Sequence, residues 1–207
     1  MTLLHFVAWK VLLKNKYTNL MTDKLTQTKL NAISAKILHR KSKAKYEIID
    51  GAVAVLTIIV PILFIIAQYV TKGTGSQILF DNISFGLSLV LIAISVLAII
   101  LKITDKITVH KVGIKNNIYV ANECDNLSSL PDQELEWFYR YVAEIDNLDI
   151  DIFSNIGSKV KRTTYREALK ESSPGDHTII CPICKTSPWH YKKGSCQLCG
   201  NSPTLNP

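Results

Sequence analysis

The chain contains the stretch Gly51–Val70, GAVAVLTIIVPILFIIAQYV, and soon after it Ile83–Leu101, ISFGLSLVLIAISVLAIIL. Neither stretch carries a charged residue. An α-helix rises about 1.5 Å per residue, so about 20 apolar residues span the hydrocarbon core of a bilayer. Helices of soluble proteins are usually apolar on one face only. The connecting residues include Gly73 and Gly75, which are typical of a turn. The sequence therefore predicts a transmembrane helical hairpin.

Four regions are predicted around this hairpin. Residues 1–47 are amphipathic helices, residues 48–102 the hairpin, residues 103–171 a helical region, and residues 176–207 a small zinc ribbon. The Ser-Ser-Pro-Gly sequence at residues 172–175 separates the last two regions. The predicted fold class is an all-α membrane protein, a two-helix transmembrane hairpin with cytoplasmic helical extensions and a small C-terminal zinc ribbon.

Positive charge is concentrated on both sides of the hairpin, in a chain whose formal net charge is +7. The connecting loop has only Lys72, which Asp81 offsets. The flanking cations are Lys36, Arg40, Lys41, Lys43, Lys45, Lys102, Lys106, Lys111 and Lys115. The positive-inside rule predicts that both termini are cytoplasmic. Contact with anionic lipid headgroups explains these cations more simply than nucleic-acid binding does.

Amphipathic helices are predicted outside the spans from apolar residues at helical spacing. Met1–Lys14 contains Lys10 and lacks a small-residue cleavage site, so its pattern does not predict a signal peptide. The helix that Phe6, Trp9 and Leu13 predict lies either on the membrane surface or against the chain itself. The expected buried positions farther along are Leu30, Ile33 and Ile37, then Ile103, Ile107, Ile114 and Ile118, then Leu135, Phe138, Val142 and Ile145. A last helix is expected over Ser158–Glu171.

Small and polar residues lie along one face of each predicted span. They are Ala54, Thr57, Pro61 and Gln68 in the first span, and Ser84, Ser88 and Ser95 in the second. Such residues let helices approach closely, so this face is explained by helix packing. It also fits the weakly polar lining of a pore. Because a single hairpin encloses no pore, conduction requires a homo-oligomer. The sequence leaves both interpretations open.

The strongest motif is C-x2-C-x11-C-x2-C, formed by Cys181, Cys184, Cys196 and Cys199. Each C-x2-C pair makes a tight knuckle, and two knuckles complete a tetrahedral site for structural zinc, with no open position for a catalytic water. Iron and a redox dithiol pair are the alternatives. The eleven residues between the knuckles are long enough for a β-hairpin, with Lys193 and Gly194 at its turn.

Other candidate residues have ordinary explanations. Gly200 follows the last cysteine, where a knuckle often requires a positive φ. His177 and His190 are expected at the surface, and Cys124 as a half-buried thiol. The chain has no H-E-x-x-H motif, no Ser/His/Asp order and no phosphate-binding Gly-rich loop, so it is not expected to be an enzyme.

A basic lead-in (KILHRKSKAK, Lys36–Lys45), two spans, a helical extension and the CPIC–x11–CQLC tail together resemble the mobilome CxxCx(11)CxxC protein family. The membrane part is similar to the SLATT domain (SMODS and SLOG-associating two-transmembrane effector). The resemblance implies a multi-pass protein of the bacterial inner membrane that acts in mobile-element or anti-phage conflict. Such an effector permeabilises or depolarises the host membrane when a sensor, or a partner linked to a second messenger, activates it.

Two other functions stay open at this point. In the first, the hairpin is only an anchor and the zinc ribbon recruits a protein or a nucleic acid. In the second, Cys181 and Cys184 form a redox-sensing pair. The lipid bilayer and other copies of the chain are the expected partners of the effector, and nucleic acid is the weaker expectation.

Overall fold

The structure, a computed structural model, describes the backbone of residues 3–203 and the side chains of residues 24–203 apart from Asp132. Within this range the chain is helical and forms no strand. Its elements are α1 (Leu3–Thr71), α2 (Gln77–Ile100), α3 (Ile103–Asn126), a 3-10 turn (Asp132–Leu135), α4 (Glu136–Ile152) and α5 (Ser158–Ser172). The predicted N-terminal amphipathic pattern at Phe6, Trp9 and Leu13 concerns side chains outside the described set.

The described residues form two compact units. Arg40–Lys111 is the hairpin unit, and the residues up to His39 together with those from Val112 onward form the second, which we call the cysteine-containing unit. The predicted four-region division is finer than this and stays a prediction.

The hairpin unit holds two helices that are long and apolar enough to cross a membrane. None of the most apolar stretch of the first helix is buried in the molecule, and only 6% of that in the second. A core helix of a soluble protein would be mostly covered by its own chain. The apolar surface of this hairpin is therefore not covered by the rest of the described chain.

Each helix of the hairpin turns one narrow face away from solvent. On α2 this face contains Ser84, Ser88 and Ser95. The Ser88 hydroxyl donates to the Ser84 carbonyl at 2.8 Å, and the Thr71 hydroxyl donates to the Ala67 carbonyl at 2.8 Å. Polar side chains that bond to their own helix leave no unpaired group in apolar surroundings.

The apolar segment of α2 ends where the backbone changes direction. Lys102 has a φ of 50°, a backbone angle that residues other than glycine rarely adopt. Its N–H donates to the Ile99 carbonyl at 3.0 Å, and its own carbonyl accepts from Lys106 as α3 begins. The predicted continuation of the second span as a helix is therefore confirmed, with a break at Lys102.

The cysteine-containing unit has a core to which four helices contribute. As predicted, Leu135 and Phe138 of this unit are completely buried, and Val142 and Ile145 are at most 9% exposed. The other members are Leu25, Ala32, Ile33, Ile37, Val120, Ala121, Cys124, Leu127 and Ala168. Ile118 was expected in this core but is 40% exposed. Asn117 takes the buried position beside it, which a search for apolar residues misses.

A buried polar cluster links α1, α3 and α4 inside this core. The Asp149 carboxylate lies 2.7 Å from Nε2 of His39 and accepts a hydrogen bond of 2.8 Å from the Asn117 amide. His39 is fully buried and Asn117 is 1% exposed. The Asn117 amide also donates to the Gly113 carbonyl at 3.0 Å. Buried polar groups are tolerated when they are paired in this way.

Gly113→Ala tests this cluster. A Cβ atom at residue 113 would lie 2.3 Å from the His39 ring, and that ring is enclosed on all sides. We expect the free energy of unfolding to fall by about 2 kcal/mol, since overpacking outweighs the helix preference of alanine. Thermal unfolding followed by circular dichroism measures the effect.

Gly157→Ala is the matched control, because a Cβ atom there meets nothing within 4 Å. It lies in the same unit at the N-cap of α5, where replacing glycine by alanine should cost at most about 1 kcal/mol. Equal losses in both variants would show that the His39 ring can move aside.

Candidate metal centre

The four cysteines of the motif converge on one point. Their Sγ atoms all lie within 4.8 Å of one another, and all four residues are buried. The Sγ atoms of Cys181 and Cys196 are 3.9 Å apart, and those of Cys184 and Cys199 are 3.4 Å apart. A tetrahedral Zn–S site with bonds of about 2.3 Å places its sulfur atoms about 3.8 Å apart. The arrangement fits a four-thiolate metal site.

Backbone N–H groups of the knuckles favour the thiolate form that a metal requires, and burial opposes them. Burial acts to raise the pKa of Cys196, but hydrogen bonds from the backbone N–H groups of Cys199 and Leu198 and from neighbouring cysteines lower it to about 7. Burial raises the pKa of Cys181 above its ordinary value, while the N–H groups of Cys184 and Ile183 oppose that rise. Four thiolates this close repel each other, and a bound cation removes that repulsion.

The residues between the knuckles adopt a different path from the one predicted. No β-hairpin forms among residues 185–195, and Lys193 and Gly194 do not make a turn. Lys193 instead pairs with Asn201 in an isolated antiparallel bridge, and the Gly194 N–H donates to the Gly200 carbonyl at 3.0 Å. A Cβ on Gly194 would lie 2.3 Å from the Ser202 backbone, so this close pairing requires glycine.

Asn201, which belongs to no motif, holds this loop together. Asn201 is completely buried, and its Oδ1 accepts from the Lys192 N–H at 2.7 Å. Its Nδ2 donates to the carbonyls of Ser187 and His190, each at 3.3 Å. Its position directly after Gly200, whose φ of 73° confirms the expected left-handed turn, is the only signal that could have indicated it.

The cysteine module, residues 176–203, packs on α5 and α1 rather than standing apart. The cysteines share a buried cluster with Leu30 of α1 and with Tyr165 and Leu169 of α5. Arg166 donates from Nη1 to the Cys199 carbonyl at 2.7 Å. Its guanidinium also stacks 3.8 Å from the centre of the Tyr191 ring. From sequence alone Arg166 belongs to a solvated basic helix, so this contact was missed.

The remaining cysteine and histidines lie outside the metal cluster. Cys124 is 3% exposed, deeper than the half-buried position expected, and burial, with the charge of Asp125, raises its pKa to about 12. His190 is exposed. His177 lies against Trp189, with ring centres 4.7 Å apart. Among the described residues only the four motif cysteines gather as a metal-ligand group.

The predicted polar face of the spans is divided between two environments. The three serines of α2 lie on its packed face, as described above. The α1 members Ala54, Thr57, Pro61 and Gln68 are all exposed. The α1 residues turned toward the interior of the unit are instead Val53, Val60, Phe64, Ala67 and Thr71. The α1 members are thus not used in packing within one hairpin.

Comparison with known proteins agrees with the geometry of the centre. The sequence model of the mobilome CxxCx(11)CxxC protein family matches residues 22–202. The chain belongs to this family. The match covers both apolar helices and all four cysteines of the mobilome CxxCx(11)CxxC motif. No curated protein and no solved structure matches the chain.

Metal content tests the centre directly. Cys184→Ser removes one of four ligands, so we expect purified protein to fall from one bound metal ion per chain to well below one. The melting temperature should fall with it, because metal binding contributes to the folding of such modules. Elemental analysis by mass spectrometry identifies the metal and counts it.

Cys124→Ala is the control for that experiment, since Cys124 lies outside the cluster. It should keep one metal ion per chain. Metal content that is unchanged by Cys184→Ser, or lost in Cys124→Ala, would contradict the assignment.

Arg166→Gln tests how the cysteine module is held on α5. The variant loses a charged hydrogen bond to the Cys199 carbonyl and the stacking on Tyr191. We expect a loss of about 2 kcal/mol in the free energy of unfolding, with metal content unchanged. Lys159→Gln, at an exposed position of the same helix, should leave both quantities unchanged. Loss of metal in Arg166→Gln would mean that the centre itself depends on this arginine.

Proposed function

We propose that this chain is a SLATT-like membrane effector that oligomerises in the bacterial inner membrane and permeabilises or depolarises it on activation. The observation that carries the proposal is the uncovered apolar surface of the hairpin unit. Its large side chains remain exposed over most of both helices, for example Ile58 at 63%, Ile65 at 68% and Ile99 at 75%. Burying apolar surface is worth about 25 cal/mol per Å², so water is a costly solvent for this unit. A bilayer removes that cost.

The charges of the hairpin unit support an orientation with both termini in the cytoplasm. Exposed Arg40, Lys41 and Lys45 precede the apolar part of α1. The turn between α1 and α2 carries Lys72 as its single cation. Juxtamembrane lysine and arginine remain preferentially on the cytoplasmic side.

The exposed face of α1 supports assembly of several hairpins. Ala54, Thr57, Pro61 and Gln68 are available to another copy, because the hairpin packs through other residues. The Thr57 hydroxyl donates to the Ala54 carbonyl at 3.1 Å, so it is satisfied within its own helix. A weakly polar face whose hydroxyl groups are hydrogen-bonded within their own helix can pack against a neighbouring helix or line a narrow water-filled pore.

The cysteine module then acts as a structural part of the effector, with zinc as its metal. Four cysteine ligands leave no open coordination position, which is the pattern of structural rather than catalytic zinc. The proposal accordingly gives this module no catalytic role. Activation by a sensor protein, or by a partner linked to a second messenger, remains part of the proposal.

A membrane-anchored zinc-ribbon module is the second candidate function. It is favoured by the exposed apolar side chains of the first knuckle, since Ile180 is 48% and Ile183 is 62% exposed. Exposed apolar groups next to a rigid metal site are suited to capture of a protein or a nucleic acid. In that case the hairpin would anchor the chain without altering membrane permeability.

Membrane potential in bacteria that express the chain, with and without its neighbouring genes, tests the primary proposal. We expect depolarisation, reported by a voltage-sensitive dye, and its loss in Thr57→Leu, which replaces an exposed hydroxyl of α1 by an apolar side chain. Ile66→Leu, at an exposed apolar position of the same helix, should depolarise like the native chain. A steady potential under every condition, with the protein present in the membrane fraction, would reject the effector and favour the anchored module.

A further inference from the structure

Helix α4 carries two faces of coiled-coil spacing, and the structure buries only one. The buried face is Phe138, Val142, Ile145 and Asp149. The second face consists of Trp137, Tyr141, Glu144, Leu148 and Asp151, at successive spacings of four and three residues, together with Ile152, which lies four residues after Leu148. We call it the outer face of α4. Trp137 is 49%, Leu148 57% and Ile152 38% exposed. An exposed helix face with this spacing is suited to docking.

The outer face is acidic as well as apolar. Glu144 and Asp151 are exposed on it. Residues 132–152 as a whole carry seven acidic residues and one arginine. Glu144 follows Tyr141 by three residues and is therefore its neighbour on the helix surface. Burial, the nearby Tyr119 and the charge of Glu144 together raise the pKa of Tyr141. A fitting partner therefore offers apolar side chains together with cations.

The same chain presents a surface of that composition on its cysteine module. The tip of the first knuckle exposes Ile180, Pro182, Ile183 and Lys185. Residues 158–203, which contain this tip, carry eight lysine and arginine residues against three acidic ones. The knuckle tip is rigid, because the Lys185 N–H donates to the Cys181 carbonyl at 2.9 Å and the Cys181 N–H donates to the Thr186 carbonyl at 3.0 Å. A rigid surface loses little entropy on docking.

We propose that the outer face of α4 in one copy binds the first-knuckle tip of a second copy of this chain. Pairing of two outer faces with each other is disfavoured, because it would bring Glu144 and Asp151 against like charges. The contact is therefore head-to-tail, and repeated head-to-tail contacts close into a ring or extend as a filament. The inference rests on the proposed function in one respect, since it supplies the contact that joins the copies of the effector.

The mass of the full-length, metal-loaded protein in detergent tests this contact. Light scattering after size exclusion should give a protein mass that is a multiple of 23.2 kDa for the native chain. Glu144→Lys with Asp151→Lys should reduce it to a single chain. Ile183→Glu with Lys185→Glu should do the same, with Lys185→Glu alone as the substitute if the pair disturbs metal content. Glu136→Lys with Asp146→Lys adds the same charge to exposed positions of α4 off the outer face and should leave the assembly intact.

Mixing the two reversed variants gives the sharper result. Each carries one reversed surface, so every contact in an alternating assembly again pairs opposite charges, and the native mass should return. A native chain that is monomeric at all concentrations overturns the proposal, as does an assembly that survives Glu144→Lys with Asp151→Lys. If only the α4 reversal dissociates the protein, the outer face binds something other than the knuckle and the proposal is wrong.

Leakage of dye from liposomes, measured on the same samples, separates this inference from the proposed function. An intact assembly that never leaks dye, even with the products of the neighbouring genes supplied, rejects the effector and leaves the interface standing. A leaking native chain whose mass is that of one copy rejects the interface and leaves the effector standing.

Discussion

The gathering of four cysteine Sγ atoms within 4.8 Å of one another is the constraint on which the cysteine module depends. The cysteine module has few apolar side chains of its own, and its buried cluster consists largely of the cysteines. Without a cation the thiolates would have to stay protonated or move apart. With one, the knuckles become fixed points, and Asn201 and Arg166 can bond to a loop of defined shape. The contact with α5 is made at the cysteine site itself, because Arg166 bonds to the Cys199 carbonyl.

The cysteine module contacts α1 as well as α5. Leu30 of α1 belongs to the cysteine cluster, and the Tyr165 hydroxyl donates to the Gln27 side chain at 3.3 Å. The Lys36 ammonium lies 2.6 Å from the Glu171 carboxylate. Partly exposed ion pairs of this kind contribute at most about 1 kcal/mol, so the apolar cluster is the stronger connection. The cysteine cluster, α5 and the part of α1 up to His39 are consequently packed together.

What the sequence predicted correctly depends on signals that are local or periodic. The metal ligands follow from spacing alone, because each C-x2-C pair makes the same knuckle in any surroundings. The buried positions Leu135, Phe138, Val142 and Ile145 follow from helical periodicity. The apolar helices follow from length and composition. None of these inferences required knowledge of which helices are neighbours.

The missed residues are polar groups whose partners lie far along the chain. His39 meets Asp149 across 110 positions, and Arg166 reaches Cys199 across 33. A pattern of apolar residues assigns such side chains to the surface, and it therefore indicates Ile118 but not the buried Asn117. Buried polar pairs of this kind add little net stability, because desolvation offsets their attraction. Such pairs determine which residues can be neighbours. Here Asp149 of α4 bonds to His39 of α1 and to Asn117 of α3, and an apolar side chain could not form these directional bonds. The fold is thus stabilised by residues that periodicity reveals and oriented by residues that it does not.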